Sequence, residues 1–195
     1  SNRDFKELIE RVYEQKFEVV VCSLADAPKD KSAAAPIGRH FDGCRIGFDA
    51  GGSDRKVSAV INGESVYSEE VVWFPKLQSD PEYHYQGILE AMKTAASHMP
   101  RVDAIGISSA GVYIDNKIMV ASLFLKVSDE DFEKKVKTMY LDVAKEIGDV
   151  PIEVANDGDV TALAGAMDLG DNNVLGVAMG TSEAAGYVDK NQSLL

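Results

Sequence analysis

Cysteine is scarce in this chain: only Cys22 and Cys44 occur among its 195 residues. Two cysteines cannot form a disulfide framework or a four-cysteine zinc site. The three histidines, His40, His84 and His98, are scattered, and none lies at metal-ligand spacing from another histidine or a cysteine. We therefore expect reduced thiols in a cytoplasmic protein, and no zinc in this chain.

Basic residues and long apolar runs are also in short supply. The chain has 20 Lys and Arg against 32 Asp and Glu, which gives a net charge of −12. A field of that sign repels phosphate backbones and acidic membrane surfaces. No apolar run approaches the ~20 residues that a membrane helix needs, and the first residues contain no apolar signal-peptide core. We expect neither nucleic acid nor a membrane as a partner.

The composition that remains is typical of a globular protein, with 45% hydrophobic and 27% charged residues. Disordered, collagen-like and low-complexity chains differ from these values. The length allows one large domain or two small ones, and it suffices to bury a core.

The pattern of the chain changes near residue 44. Residues 4–16 place apolar side chains at helical spacing, residues 17–24 are a β-rich apolar run, and residues 25–43 predict a loop. We interpret residues 1–44 as an extension before the main domain, without chemistry of its own.

Strands and helices follow in a mixed order beyond that point. Three β-type runs with tight connections predict an antiparallel meander over residues 45–74. The later segments predict a helix, a strand, a hairpin, a helix, a strand, a helix and a last strand pair. Their ranges are 80–99, 102–108, 111–124, 128–148, 151–157, 160–170 and 173–190. The order indicates a mixed α/β sheet covered by helices, with a Rossmann fold as the second choice.

The first candidate site follows the first strand of the meander. Asp49 lies at the end of that strand, and Gly51 and Gly52 let a ligand approach the backbone closely. Ser53 and Lys56 come next. Backbone N–H groups in such a turn can hold phosphate oxygens, and Asp49 would hold magnesium through water. The alternative is a glycine hairpin with solvated charges.

Two further candidates lie at later strand ends. Asn156 and Asp157 follow a strand and begin a helix, where a carboxylate can act as a general base. Simple helix capping explains the same pair. Gly180 and Thr181 follow an apolar strand, and Thr181 could hydrogen-bond a phosphate. An ordinary hairpin turn is the alternative there.

Together these motifs resemble the ROK family (repressors, uncharacterised reading frames and sugar kinases) of the actin-like ATPase, sugar kinase and Hsp70 superfamily. The motifs are Asp-Ala-Gly-Gly-Ser at 49–53, Asn-Asp at 156–157 and Met-Gly-Thr at 179–181, and the resemblance covers residues 45–190. It implies a ribonuclease-H-like lobe of mixed sheet and flanking helices over residues 45–172. Residues 173–195 would begin a second lobe that is truncated.

The resemblance also implies roles for the site residues. The protein would be an ATP-dependent kinase of a sugar or a similar small hydroxylated molecule, with magnesium as cofactor. Asp157 would be the base and Asn156 would contact sugar hydroxyls. Asp49 would position magnesium, and two loops would hold the phosphates. These loops contain Gly51, Gly52, Ser53 and Lys56 in the first, and Gly180 and Thr181 in the second. A homo-oligomer is left open.

The sequence departs from the family's pattern on the substrate side. Residues 108–111 replace the usual Pro-Gly-Pro, residues 121–123 replace Pro-Asn-Leu, and residues 182–185 are not glycine-rich. An acceptor other than a sugar therefore stays open, as does a catalytically lapsed sugar- or nucleotide-binding regulatory protein of the same fold. A repressor of the family would carry a winged helix at its N-terminus, but residues 1–44 contain one predicted helix and few basic residues in series.

Overall fold

The predicted meander forms one side of the central sheet. The computed structural model describes residues 2–29, 38–179 and 183–194. The strands of the meander are Cys44–Ala50 (β1), Asp54–Ile61 (β2) and Glu64–Val72 (β3). Both pairings are antiparallel, and the β2–β3 turn uses Asn62 and Gly63 at positive φ. An Asn-Gly pair suits such a turn because both residues tolerate positive φ.

Two further strands, β4 and β7, complete the sheet, and four others lie outside it. The six strands are Ala104–Ser109 (β4), Val112–Ile114 (β5), Lys117–Val120 (β6), Ile152–Ala155 (β7), Val174–Met179 (β8) and Glu183–Val188 (β9). The sheet order is β3-β2-β1-β4-β7, with β4 parallel to both β1 and β7. The carboxyl ends of β1, β4 and β7 therefore lie side by side. The pairs β5–β6 and β8–β9 are separate hairpins.

Three of the described α-helices begin at a residue whose side chain caps them. The described α-helices are Asn2–Tyr13 (α1), Pro81–Ser97 (α2), the single turn Asp129–Asp131 (α3), Met139–Ile147 (α4) and Asp157–Leu169 (α5). Asp80 caps α2 by accepting from the N–H of Glu82, with Pro81 at the first helical position. Gly170 ends α5 in the left-handed conformation, which glycine adopts without a steric cost. None of the described helices is long and apolar enough to cross a membrane.

The prediction of one continuous helix over residues 128–148 was wrong in its middle. Ser128 does cap the first turn, but residues 132–136 form a π-helical segment and α4 begins only at Met139. The carbonyl of Lys137 accepts a hydrogen bond from the N–H of Ile118 on β6, at 2.9 Å. The adjacent hairpin therefore uses a carbonyl of the predicted helix, and the helix is interrupted there.

The predicted β-rich run at residues 17–24 is not a strand. Val19, Val20 and Val21 are 77%, 78% and 94% exposed. β-branched residues favour a strand only where another strand can pair with them. No such neighbour exists in the part of the chain that the structure describes. The predicted helix before this run is present and ends at Tyr13.

The main core lies between the sheet and the helices α2 and α4. Buried side chains from both layers meet there, among them Ile46, Phe48, Ile105, Ile107, Ile88, Met92 and Val143. A second, smaller cluster joins α5 to the β8–β9 hairpin through Ala162, Ala166 and Val188. The sheet therefore carries helices on one face, while α5 and the hairpin flank the edge where β1, β4 and β7 end.

Candidate active site

The carboxyl ends of the three parallel strands bring two of the predicted motifs together. Asp49 on β1 lies opposite Ser108 on β4, and Ser108 lies opposite Ala155 on β7. Asn156 and Asp157 come directly after that strand. A cleft of about 680 Å³ opens at this edge. Its polar lining includes Asp49, Ser53, Asp54, Lys56, Lys76, Ser108 and Asp157.

Two carboxylates of the cleft, on Asp49 and Asp157, are close enough to repel each other. Burial raises the pKa of Asp49 above its usual value, and the negative charge of Asp157 raises it further. Lys56, whose Nζ lies 3.8 Å from Asp49 Oδ2, and the hydroxyl of Ser108 partly offset this rise. A positive ligand between the carboxylates would remove the repulsion.

Asp157 is held at the first position of α5. The hydroxyl of Ser108 donates to its Oδ1 at 3.0 Å. The N-terminus of the helix also favours a negative charge at this position. Among the described residues no other group bonds the Asp157 carboxylate. Its second oxygen is therefore available to accept a proton from a hydroxyl in the cleft.

The side chain of Asn156 is engaged in the fold. Its Oδ1 accepts from the N–H of Gly158 at 3.0 Å, which is the capping interaction that the sequence offered as an alternative. Its Nδ2 donates to the carbonyl of Gly111 at 2.8 Å. A substrate hydroxyl would have to share these groups, so contact of Asn156 with a sugar stays a prediction.

The turn at residues 51–53 lines the cleft. Trp73 holds the turn in place with two hydrogen bonds. Its indole N–H donates to the carbonyl of Gly51 at 2.8 Å, and its backbone N–H donates to the carbonyl of Ser53 at 3.1 Å. Within the described ranges, no hydrogen bond takes its donor from the N–H of Gly52 or Ser53. Such unpaired N–H groups are what an anion-binding loop provides.

Lys56 has its charge balanced by carboxylates. Its Nζ lies 3.0 Å from Asp54 Oδ1 and 3.8 Å from Asp49 Oδ2. The hydrogen bond to Asp54 raises the pKa of Lys56 and lowers that of Asp54. Contact between Lys56 and a phosphate stays a prediction, and the phosphate would have to compete with both carboxylates.

The third motif lies on the β8–β9 hairpin, which borders the same cleft. Gly180 and Thr181 themselves lie outside the described residues. The flanking Ala178, Met179 and Ala184 line the cleft together with Gly51 and Gly52. The phosphate-binding roles of Gly180 and Thr181 therefore stay predictions.

Three glycines let the hairpin pack on the backbone of α5. A Cβ on Gly158 would lie 2.5 Å from the backbone N of Ala185, and one on Gly186 would lie 2.5 Å from the Cα of Asp159. A Cβ on Gly176 would overlap the backbone of Ala162. The sequence analysis did not assign these glycines. They fix the hairpin beside the first turns of α5, close to Asp157.

The sequence analysis also missed Ser108 and Lys76. A hydroxyl residue at the end of a buried strand is a signal that would have found Ser108. Lys76 lies in a single 3₁₀ turn after β3, where no motif indicates it. Among the described residues there is no group of three or more His, Cys, Asp or Glu side chains that could hold a metal by itself.

Comparison of the sequence with known families and curated proteins gives no match. No family model matches the chain, and no curated protein matches it in sequence.

Solved structures, in contrast, match most of the chain. An inorganic polyphosphate/ATP-glucomannokinase from Arthrobacter sp. strain KM matches 79% of the chain with a TM-score of 0.58 and 20% identity. A ROK hexokinase from Thermus thermophilus matches 77%, with a TM-score of 0.56 and 17% identity. A ROK-family transcriptional regulator, a homologue of the E. coli MLC protein, matches 80%, with a TM-score of 0.60 and 17% identity.

The chain spans 61%, 47% and 38% of the length of these three proteins, respectively. The alignments thus include both kinases and a regulator. The resemblance to ROK proteins that the motifs indicate is confirmed at the level of the fold. The chain has the ribonuclease-H-like fold of the ROK and actin-like ATPase proteins.

Proposed function

We propose that the protein transfers the terminal phosphate of ATP to a hydroxyl of a sugar or a similar small hydroxylated molecule. One observation carries the proposal. The cleft is lined by a carboxylate at a helix N-terminus, by a second carboxylate and by a turn whose Gly52 and Ser53 N–H groups have no hydrogen-bond partner among the described residues. Phosphoryl transfer depends mainly on positioning and charge neutralisation, and these groups can supply both. The fold, shared with sugar kinases, supports the same activity.

Asp157 is the general base of the proposed reaction. Its free oxygen takes the proton of the acceptor hydroxyl as the hydroxyl oxygen forms a bond to the terminal phosphorus of ATP. The bond from phosphorus to the bridging oxygen breaks, and ADP leaves with that electron pair. Ser108 holds the carboxylate of Asp157 in position through its 3.0 Å hydrogen bond.

Asp49 and the turn at residues 51–53 bind the phosphate groups of ATP and their magnesium ion in this proposal. Magnesium, when bound, neutralises charge on the phosphate oxygens. It keeps most of its water ligands and needs only one or two carboxylates, so the residues present fit it without a larger cluster. Asp49 suits this role because its repulsion by Asp157 favours a cation beside it. Gly52 and Ser53 line the same cleft, and in this proposal their N–H groups bind the phosphate together with Gly180 and Thr181.

The hairpin β8–β9 begins a second lobe in this proposal, and residues 45–172 form the first. The separate two-stranded sheet β8–β9 supports the division. Residues 1–44 remain an extension: α1 lies against the main domain through Val12, which is buried, and through Arg11, which lies 5.0 Å from the ring centre of Phe132. Because the proposed reaction consumes ATP, we propose that the protein is cytoplasmic.

A regulatory module is the second candidate. A ROK-family transcriptional regulator is among the similar structures, and the Asn156 side chain is already bonded within the fold. Such a module would bind sugar or nucleotide in the cleft without turnover.

Sugar-dependent ADP release separates the two candidates. The full-length protein should release ADP from magnesium-ATP when one member of a panel of aldohexoses, N-acetylhexosamines and polyols is present, and not without it. A coupled ADP assay measures the release, and omission of magnesium is the control. A sugar that raises the melting temperature but gives no ADP release above the sugar-free rate would favour the regulatory module and contradict the kinase.

A further inference from the structure

Lys76 places its ammonium group beside the turn at residues 51–53. It lies in the 3₁₀ turn Pro75–Leu77 after β3, and its half-buried side chain lines the cleft. A Cβ built on Gly52 would lie 3.1 Å from Lys76 Cε and 3.2 Å from its Nζ. The side chain therefore extends across the turn, where the N–H groups of Gly52 and Ser53 have no hydrogen-bond partner in the described ranges.

The charge of Lys76 differs from that of Lys56 in one respect. Lys56 is paired with Asp54 and Asp49. None of the ion pairs between described residues involves Lys76. The cleft contains three carboxylates, on Asp49, Asp54 and Asp157, so an anionic ligand needs a cation that is not already neutralised. In the described lining of the cleft, Lys76 is that cation.

The backbone beside Lys76 is fixed by a buried histidine. His84 on α2 is completely buried, and its Nε2 lies 3.0 Å from the carbonyl oxygen of Pro75 and 3.2 Å from that of Leu123. Both partners are acceptors, so Nε2 carries the proton and donates. The residue before Lys76 is thereby tied to α2 and to the segment around Leu123. Such an anchor lowers the entropy that Lys76 loses when it binds an anion.

We propose that Lys76 binds the phosphate group held by the turn at residues 51–53, and that it supplies the positive charge that the sequence analysis assigned to Lys56. The ligand class is the polyphosphate chain of a nucleoside triphosphate, a chemistry that inorganic polyphosphate shares. The inference rests on the proposed function for the identity of the phosphate donor, but binding of a phosphate chain by Lys76 can be measured without turnover.

Magnesium tripolyphosphate is the direct probe, because it contains the phosphate chain without a nucleoside. Titration calorimetry compares wild type with Lys76→Met, Lys56→Met and Lys93→Met. Lys93 is an exposed lysine on α2 outside the cleft, and its substitution removes the same charge. Loss of a hydrogen bond to a charged group should weaken binding by Lys76→Met about tenfold to a hundredfold. Binding by Lys93→Met should equal that of wild type.

Lysine acetylation gives a second readout that does not depend on a variant folding. In wild type, tripolyphosphate should slow acetylation of Lys76 several-fold and leave Lys93 unaffected, as read by mass spectrometry. Magnesium-ATP should give the same protection if the nucleotide is the natural source, whereas protection by tripolyphosphate alone would assign inorganic polyphosphate as the source. Equal acetylation of Lys76 with and without tripolyphosphate would overturn the proposal. So would a larger loss of affinity in Lys56→Met than in Lys76→Met, or no binding of tripolyphosphate by wild type.

The Asp157→Asn variant separates this inference from the proposed function. In this variant tripolyphosphate should still protect Lys76 from acetylation, because the substitution changes neither Lys76 nor the turn at residues 51–53. A protein that protects Lys76 but never phosphorylates a sugar would contradict the kinase and keep the phosphate site. A kinase in which tripolyphosphate leaves Lys76 unprotected would contradict only the role of Lys76.

Discussion

Asp49 is the residue at which the proposed binding role and the stability of the fold oppose each other most clearly. Its carboxylate is 41% exposed and still has a raised pKa, first because of burial and then because of Asp157. Lys56 offsets only part of that cost at 3.8 Å. A group that destabilises the unliganded fold and suits a bound cation is typical of functional sites.

Replacing Asp49 with asparagine should therefore stabilise the unliganded protein at neutral pH. The folded pKa lies above the unfolded value near 3.8, so the folded state binds more protons between the two values and stability falls as pH rises through that window. The uncharged amide of the variant would remove this loss. We expect the melting temperature to rise by about 2 °C at pH 7, a small gain because solvent screens the side chain. The gain should vanish below the unfolded pKa.

Thermal melts from pH 3 to pH 8 measure this effect, and Glu64→Gln is the matched control. Glu64 is an exposed carboxylate at the start of β3, and its substitution changes the net charge by the same amount. A lower melting temperature for Asp49→Asn than for wild type at pH 7 would contradict the account. It would mean that Lys56 stabilises Asp49 more than burial and Asp157 destabilise it.

Among the elements, the turn between β1 and β2 contains two glycines with different roles. A Cβ on Gly51 would lie 2.5 Å from the backbone oxygen of Asp54, whereas one on Gly52 would approach only the flexible end of Lys76. Neither glycine has a left-handed backbone angle. Gly51 is thus required by the turn itself, and Gly52 leaves room at the cleft.

Alanine at the two positions should separate fold from binding. Gly51→Ala should lower the free energy of unfolding by about 1–3 kcal/mol, since the backbone must shift to admit the methyl group. Gly52→Ala should melt close to wild type but bind magnesium tripolyphosphate more weakly, because the methyl group occupies the space between the turn and Lys76. Denaturant unfolding and calorimetry measure the two effects. Equal destabilisation by both substitutions, with binding lost only in proportion to folding, would indicate a purely structural turn.

Elements with local signals could be predicted from the sequence. Asp80 and Pro81 mark the start of α2, and Asn62–Gly63 mark the turn of the meander, because capping and turn geometry depend on neighbouring residues. The π-helical break at residues 132–136 could not be predicted, since it depends on a hydrogen bond from Ile118. The prediction of a β-rich run at residues 17–24 was wrong for a related reason. The residues favour a strand, but no described strand lies beside them to pair with.

On the scale of the whole molecule, sheet order assembles the cleft. Asp49 and Asp157 are far apart in the sequence, and they meet because β1, β4 and β7 are parallel neighbours. The motifs could indicate both residues, since the ends of parallel strands are where such sheets bind ligands. They could not indicate Lys76, because it lies in the turn after β3, which a hydrogen bond between His84 and Pro75 ties to α2. The ion pair between Lys56 and Asp54 could not be predicted either, because it depends on side-chain geometry.

The central claim is that this cleft transfers phosphate with Asp157 as the base, and the turnover of Asp157→Asn tests it most directly. The full-length variant should fold as wild type does, because asparagine keeps the shape and can accept the hydrogen bond from Ser108. Tripolyphosphate should still protect its Lys76 from acetylation. The kcat of the variant should fall about 10²–10⁴-fold, the usual contribution of a positioned base. ADP release with the best sugar of the panel, measured at saturating magnesium-ATP, gives the value. A kcat for Asp157→Asn equal to that of wild type would contradict the account.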